Sequence, residues 1–328
     1  WHSCDSIHSH PFQGTINLVK HCFLPHFAIN PSIFVFLLVY FISIILNSLL
    51  ISIIHQNKEL HQPMNVFICL LSLNEMYGST ALLPASMAVL LSKTHEVPAK
   101  WCMAQVYFLH TYASGEFCVL ALMGYDRYVA VCYPLHYHSI MSNSKMRKLI
   151  ALVILYPLII FACFYSLTLQ LRLCGKVIPK MYCVNMELVK NSCSNAPYIS
   201  IVGLVLIFLL VVPQLVMIVF SYAQISRVCR KLQKESQAKA LKTCIPHLFS
   251  LMNYTIGSLF EVIQTRFEMS HVALELRIFL SLYFVIIPSI TNPLLYGLGT
   301  QIVRVYILKL FIKYKILPTK LANALTTA

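Results

Sequence analysis

The chain has 328 residues, 58% hydrophobic and 11% charged, with a formal net charge of +14. An ordinary soluble domain carries roughly 25% charged residues, so this composition argues against a soluble fold. The positive balance does not point to nucleic acid, because the basic residues fall between apolar runs and no nucleic-acid motif accompanies them; anionic inner-leaflet lipid and a cytosolic protein are the expected partners.

Residues 1–29 read as an extracellular segment. They hold no apolar core like that of a cleavable signal, so the first span is expected to direct insertion. The chain starts at Trp1, which reads as a fragment or a misplaced start. Cys4 and Cys22 lie here and are candidates to pair. Charge-free runs at 30–54, 149–171, 198–226 and 278–303 each reach the roughly 20 residues that cross a bilayer. Three more runs are interrupted: 67–91 by Glu75, 104–132 by Glu116 and an Asp126-Arg127 pair, and 243 onward by Glu261. The total is seven spans, an all-α membrane bundle with Pro157, Pro213 and Pro293 inside helices, where neighbouring helices tolerate kinks. With the N-terminus outside, 16 of the 25 basic residues face the cytosol, in the sense the positive-inside rule requires. The expected organisation is an extracellular segment 1–29, a membrane domain 30–300, and a cytosolic amphipathic helix and tail 301–328. In that last part Val303, Tyr306, Ile307, Leu310 and Phe311 share one side of a helix lying on the inner surface; a frayed basic tail is the alternative.

Of the twelve cysteines, Cys102 opens span three externally, and Cys174, Cys183 and Cys193 lie in the long external loop. That face is oxidising, and four cysteines allow three connectivities. Cys69, Cys118, Cys132, Cys163, Cys229 and Cys244 are membrane or cytosolic and read as packed thiols. Glu75 and Glu116 are costly residues for a membrane interior. Counted from the cytosolic ends of their spans they lie about 18 Å and about 17 Å deep, so they can meet. With Asn47 and Asn292 they form a cluster suited to one sodium ion or a shared proton; two protonated glutamates bonding helices together is the simpler reading. Asp126-Arg127, at the inner end of span three, can close the bundle by charge pairing and later offer Arg127 to a cytosolic partner. An arginine snorkelling to headgroups is the bland reading of the same pair.

The string Met-Gly-Tyr-Asp-Arg-Tyr-Val-Ala-Val-Cys-Tyr-Pro from Met123 resembles the third-helix signature of rhodopsin-like (class A) G-protein-coupled receptors in its olfactory form. Further marks agree: Pro63-Met64-Asn65, Ser221-Tyr222, the run from Lys239 through Thr243-Cys244 to His247-Leu248, and Pro288 to Tyr296 with its Asn292-Pro293 step. Paired glutamates resemble fish-type members more closely. The first 30 residues lack an Asn-x-Ser/Thr site, which the family usually carries.

The resemblance implies a seven-helix receptor, not an enzyme, that binds a small-molecule odorant and activates a stimulatory heterotrimeric G protein from the plasma membrane of sensory cilia. It implies disulfides Cys102–Cys183 and Cys174–Cys193, pinning the loop as a lid. It implies a ligand set of Leu109, His110, Ala113 and Ser114 on span three, Phe260, Glu261 and Gln264 on span six, and Tyr283 on span seven. Glu261 suits a cationic ligand, or reaches external water. Asp126, Arg127, Tyr128, Tyr222, Lys239, Asn292, Pro293 and Tyr296 make the switch, Arg127 leaving Asp126 for Tyr222 and the G protein. Asn47, Glu75 and Asn292 match the family's sodium pocket, with Glu116 in place of a small polar residue. Aligned this way, Thr255 beside Tyr254 falls where the family places a mid-span tyrosine. An orphan class A receptor is the alternative within the class. A transporter is disfavoured because the chain shows no paired halves.

Overall fold

The computed structural model describes residues 15–18, 26–92, 96–171, 177–178, 180–193, 197–267, 272–299, 303–307 and 312. Seven long helices dominate them: α1 (His26–Gln56), α2 (Pro63–Leu91), α3 (Ala99–Cys132), α4 (Asn143–Thr168), α5 (Pro197–Cys229), α6 (Lys234–Arg266) and α7 (Leu274–Gly299). Six are long and apolar enough to cross a membrane. The exception, α6, starts with Lys234 and Glu235 and carries Lys242, so its first turns are made for the cytosol before the apolar part begins.

Local sequence sets the ends. Pro63 starts α2 after an extended Gln62, at a position where its missing N–H and fixed φ cost nothing. Ser142 caps α4, its side chain accepting from the Lys145 N–H at 3.5 Å. Beyond the three expected intrahelical prolines, Pro84, Pro246 and Pro288 also lie inside helices. Residues 303–307 are helical; most of the surface helix and tail expected after α7 lies outside the described residues.

Burial is inverted relative to a soluble protein. Phe34, Phe41, Phe208 and Val219 face outward, whereas Asn47, Glu75, Glu116, Asp126 and His247 are fully buried. In hydrocarbon the outward faces need no cover, and polar groups must find partners inside. The third helix is the hub, packing against α2, α4, α5 and α6.

On the outer face a three-stranded sheet joins parts of the chain far apart in sequence. Strand β1 (Thr15–Leu18) is central, antiparallel to β2 (Glu96–Pro98) and parallel to β3 (Val177–Ile178). It joins Thr15–Leu18 to the loop between α2 and α3 and to the loop between α4 and α5. Cys102 and Cys183 form a disulfide that fixes the long loop to the top of α3. Cys193 is also disulfide-bonded; Cys174, its expected partner, and Cys4 and Cys22 lie outside the described residues.

Candidate functional site

Three polar centres follow one another down the bundle. In the middle, α7 presents Asn292 to two acids: its amide nitrogen donates to Glu75 Oε1 at 2.6 Å and to Glu116 Oε1 at 3.3 Å. The acids accept from the amide nitrogen, and the Ser250 hydroxyl of α6 donates to Asn292 Oδ1 on the other side at 2.7 Å. Asn74 donates to Glu116 Oε2 at 2.8 Å, and Tyr112 donates to the Phe284 carbonyl at 3.0 Å with Glu75 Oε2 3.4 Å away. Three of the four expected members, Glu75, Glu116 and Asn292, are therefore bonded together, with Asn74, Ser250 and Tyr112 beside them as residues that sequence reasoning missed. Asn47 stands apart: its amide bridges the Ser43 and Ser289 carbonyls, each at 2.9 Å.

These contacts bear on the sodium reading. A cation needs oxygens turned toward it, yet Asn292 aims N–H at the acids while its oxygen accepts from Ser250.

At the cytosolic end Arg127 Nη2 lies 2.5 Å from Asp126 Oδ2, and Tyr137 of the inner loop donates to Asp126 Oδ1 at 2.7 Å. Asp126 is fully buried, so breaking this pair without a substitute would strand a buried charge. The Tyr137 phenol is pushed up by burial and then by its bond to Asp126, which keeps it a donor. Tyr222 bonds His247 Nδ1, and His247 Nε2 meets the Leu120 carbonyl at 2.9 Å. A carbonyl only accepts, so Nε2 carries the proton and Nδ1 accepts from Tyr222. That relay ties α5, α6 and α3 together. Tyr128 packs edge-on against Tyr133, Tyr296 is buried in the main core, and Pro293 lies within α7. The side chain of Lys239 lies outside the described residues.

In the outer half, a cavity of about 170 Å³ is lined by Leu109, His110, Ala113, Ser114 and Glu261. Phe117, Phe161, Tyr182, Thr265, Arg266 and Phe284 line it as well. The α3 stripe continues from Ala113 by one more turn to Phe117, a step the helical period allowed. On α6 the lining side is Ser258, Glu261, Val262 and Thr265. Phe260, Gln264 and Tyr283 do not line the cavity; Gln264 bonds Ser281 at 2.8 Å and Tyr283 bonds Asn253, both joining α6 to α7. Tyr254, not Thr255, faces the core: it is fully buried, edge-on to Phe117 at 4.9 Å, and donates to the Ala113 carbonyl at 3.0 Å. The lid is tied to α6 by Lys180, whose Nζ is 2.6 Å from Glu261 Oε1. The Tyr182 phenol beneath it is pushed well up, first by burial and then by the Glu261 charge.

A larger apolar cleft of about 610 Å³ lies between the outer halves of α2 and α3 beside Trp101, which is 71% exposed. Its lining is almost wholly apolar, whereas the lidded cavity gathers charged and hydrogen-bonding groups among aromatic walls, the pattern of a ligand site.

The model of the olfactory receptor family matches residues 36–314. The chain belongs to the olfactory receptor family. Human relatives include olfactory receptor 52N1, 32% identical over 278 residues, covering 84% of this chain and 87% of the relative. Olfactory receptor 52A1 is 31% identical over 279 residues, covering 84% and 89% respectively, and olfactory receptor 51L1 is 30% identical over 279 residues, covering 84% and 88%. This olfactory receptor is thus a multi-pass plasma-membrane receptor, not an enzyme, and all three centres lie inside the matched region.

Proposed function

We propose that the receptor binds a small odorant in the lidded outer cavity and activates a stimulatory heterotrimeric G protein, raising cyclic AMP in olfactory cilia. The observation that carries this reading is the Asp126–Arg127 pair, buried at the cytosolic mouth and clamped by Tyr137. An arginine held by a single carboxylate is a stored contact: once α6 swings outward, it is free to meet a partner's C-terminal helix.

The cavity is coupled to that mouth through packed side chains. Phe117 lines the cavity and touches Tyr254; Tyr254 faces Tyr112, which reaches toward Glu75. Two turns further down, α6 is held to α3 through His247 and the Leu120 carbonyl. Moving α6 breaks that bond and the Tyr222 relay, and each buried hydrogen bond left unmade costs about 1–3 kcal/mol. Ligand binding must supply this difference between states. The acid pair holds the resting state through one shared proton, with sodium binding as the competing account. Potency that follows external sodium, and loses that dependence in Glu116→Ser, would favour the ion over the proton.

The deciding experiment compares the parent receptor with Arg127→Ala at matched surface staining, recording cyclic AMP under a broad odorant mixture. A ligand-dependent rise lost in the variant supports the reading. An undiminished rise in the variant would sink the role of Arg127.

A further inference from the structure

Glu261 holds an ammonium group in a built setting. The Lys180 Nζ sits 2.6 Å from Glu261 Oε1 and 5.7 Å from the centre of the Tyr182 ring, with side-chain exposures of only 8% for Lys180 and 13% for Glu261. A carboxylate beside an aromatic face is the chemistry that selects ammonium ions. Because Glu261 and Tyr182 also line the cavity, the lid lysine fills a subsite that a ligand can reach from the other side.

We propose that the cavity recognises a small primary amine, whose ammonium replaces that of Lys180 on Glu261. This deepens the odorant reading above and rests on it. Three further observations support it. Glu261 Oε2 is buried and accepts no hydrogen bond from the described residues. The nearby Tyr182 hydroxyl interacts with Glu261 but gives its proton to the Ser281 carbonyl at 3.0 Å. An incoming N–H donor can serve Oε2. On the facing helix, His110 Nδ1 donates to the Val106 carbonyl at 2.9 Å, which leaves the other ring nitrogen as a second acceptor on the lining.

Charge balance decides among ligand classes. A neutral ligand that displaced Lys180 would strand a buried carboxylate, and an anion would set a second negative charge beside it. An ammonium keeps the balance, while the released Lys180 head, on a flexible stem, regains water at the lid. The opposing feature is Arg266, a cation on the rim whose Nη1 donates to Ser200 at 2.8 Å. It is only partly buried and keeps its hydration, whereas the unpartnered oxygen of Glu261 does not. The cavity, at about 170 Å³, is below the roughly 300–1,000 Å³ usual for drug-sized ligands, so the amine is small, with an apolar body against Phe117, Phe161 and Phe284.

The test uses the full chain purified into lipid nanodiscs and measures direct binding of phenethylamine, phenethyl alcohol and phenylacetate. Phenethylamine should bind best. Glu261→Gln should weaken it by roughly tenfold to a hundredfold, the worth of a hydrogen bond to a charged group. Lys180→Met should tighten phenethylamine by removing its tethered rival, a gain that a merely structural lysine would not give. A cooperative thermal melt in the nanodisc shows that each variant is folded, and Glu261→Asp should restore part of the amine affinity that Glu261→Gln loses. Phenethylamine that fails to bind, phenylacetate that binds best through Arg266, or an amine affinity indifferent to Glu261→Gln overturns the proposal. The receptor reading is judged separately, since the cyclic AMP response and its loss in Arg127→Ala do not depend on which of the three probes binds.

Discussion

The middle of the bundle and its outer cavity handle buried polarity in opposite ways. Around Asn292, the two acids, two amides and a serine hydroxyl are bonded across α2, α3, α6 and α7, so one arrangement is specified. Around Glu261, one ion pair bridges a lid and a helix, aromatic walls fill most of the rest, and an acceptor has no donor among the described residues. The first region is built to have a definite structure, the second to have a visitor. The difference locates where substitutions should harm the fold and where they should only alter what is recognised.

The hardest test of that division is Asn292→Leu. Taking away the amide leaves two buried acids without their shared donor, and breaking such a network costs about 3–5 kcal/mol. Surface staining should collapse and the purified receptor should unfold at lower temperature; normal stability would mean the cluster is not structural. Next comes Gly257→Ala, where an added Cβ would lie 2.7 Å from Tyr283 Cδ1 and 3.1 Å from the Phe284 Cα. Backbone on one side cannot yield as a side chain does, so α6 and α7 are pushed apart at about 1–3 kcal/mol, readable as a thermal shift. Glu116→Gln is milder: an amide replaces a carboxyl that shares a proton, and the loss should stay near about 1 kcal/mol. A far larger loss in the same assay would mean that Glu116 is held ionised. The smallest effect on the fold belongs to Ala113→Leu, which fills cavity space and should change stability by about 0.5 kcal/mol or less, as substitutions away from tightly packed sites do. The same variant should lose its odorant response at unchanged surface level; a normal response would place the ligand elsewhere.

Much of the inner half was legible in the sequence because membrane chemistry makes it so. Glu75 and Glu116 stand out against apolar runs, and helical rise alone sets them at one depth. Asp126-Arg127 stands out in the same way. Asn74 did not, because one position along a helix turns a side chain by about 100° and nothing in a single sequence shows that it still reaches α3. The same rotation separates Tyr254 from Thr255, so an alignment one residue out exchanges a core ring for a helix-flank hydroxyl. Lining residues on the lid, such as Tyr182, were hidden for another reason: a loop has no period from which a facing side can be read. The sheet was hidden too, since its strands have four, three and two residues, too short for alternation to register.

That sheet has a consequence for how the receptor is made. Its central strand is translated first, yet both partners arrive much later, Glu96–Pro98 after two helices and Val177–Ile178 after four. Until then Thr15–Leu18 waits on the luminal side with unpaired backbone groups, the kind of edge that other chains and chaperones bind. The sheet can close only once α4 has crossed the membrane. Its completion therefore marks a chain whose outer loops have emerged on the same side.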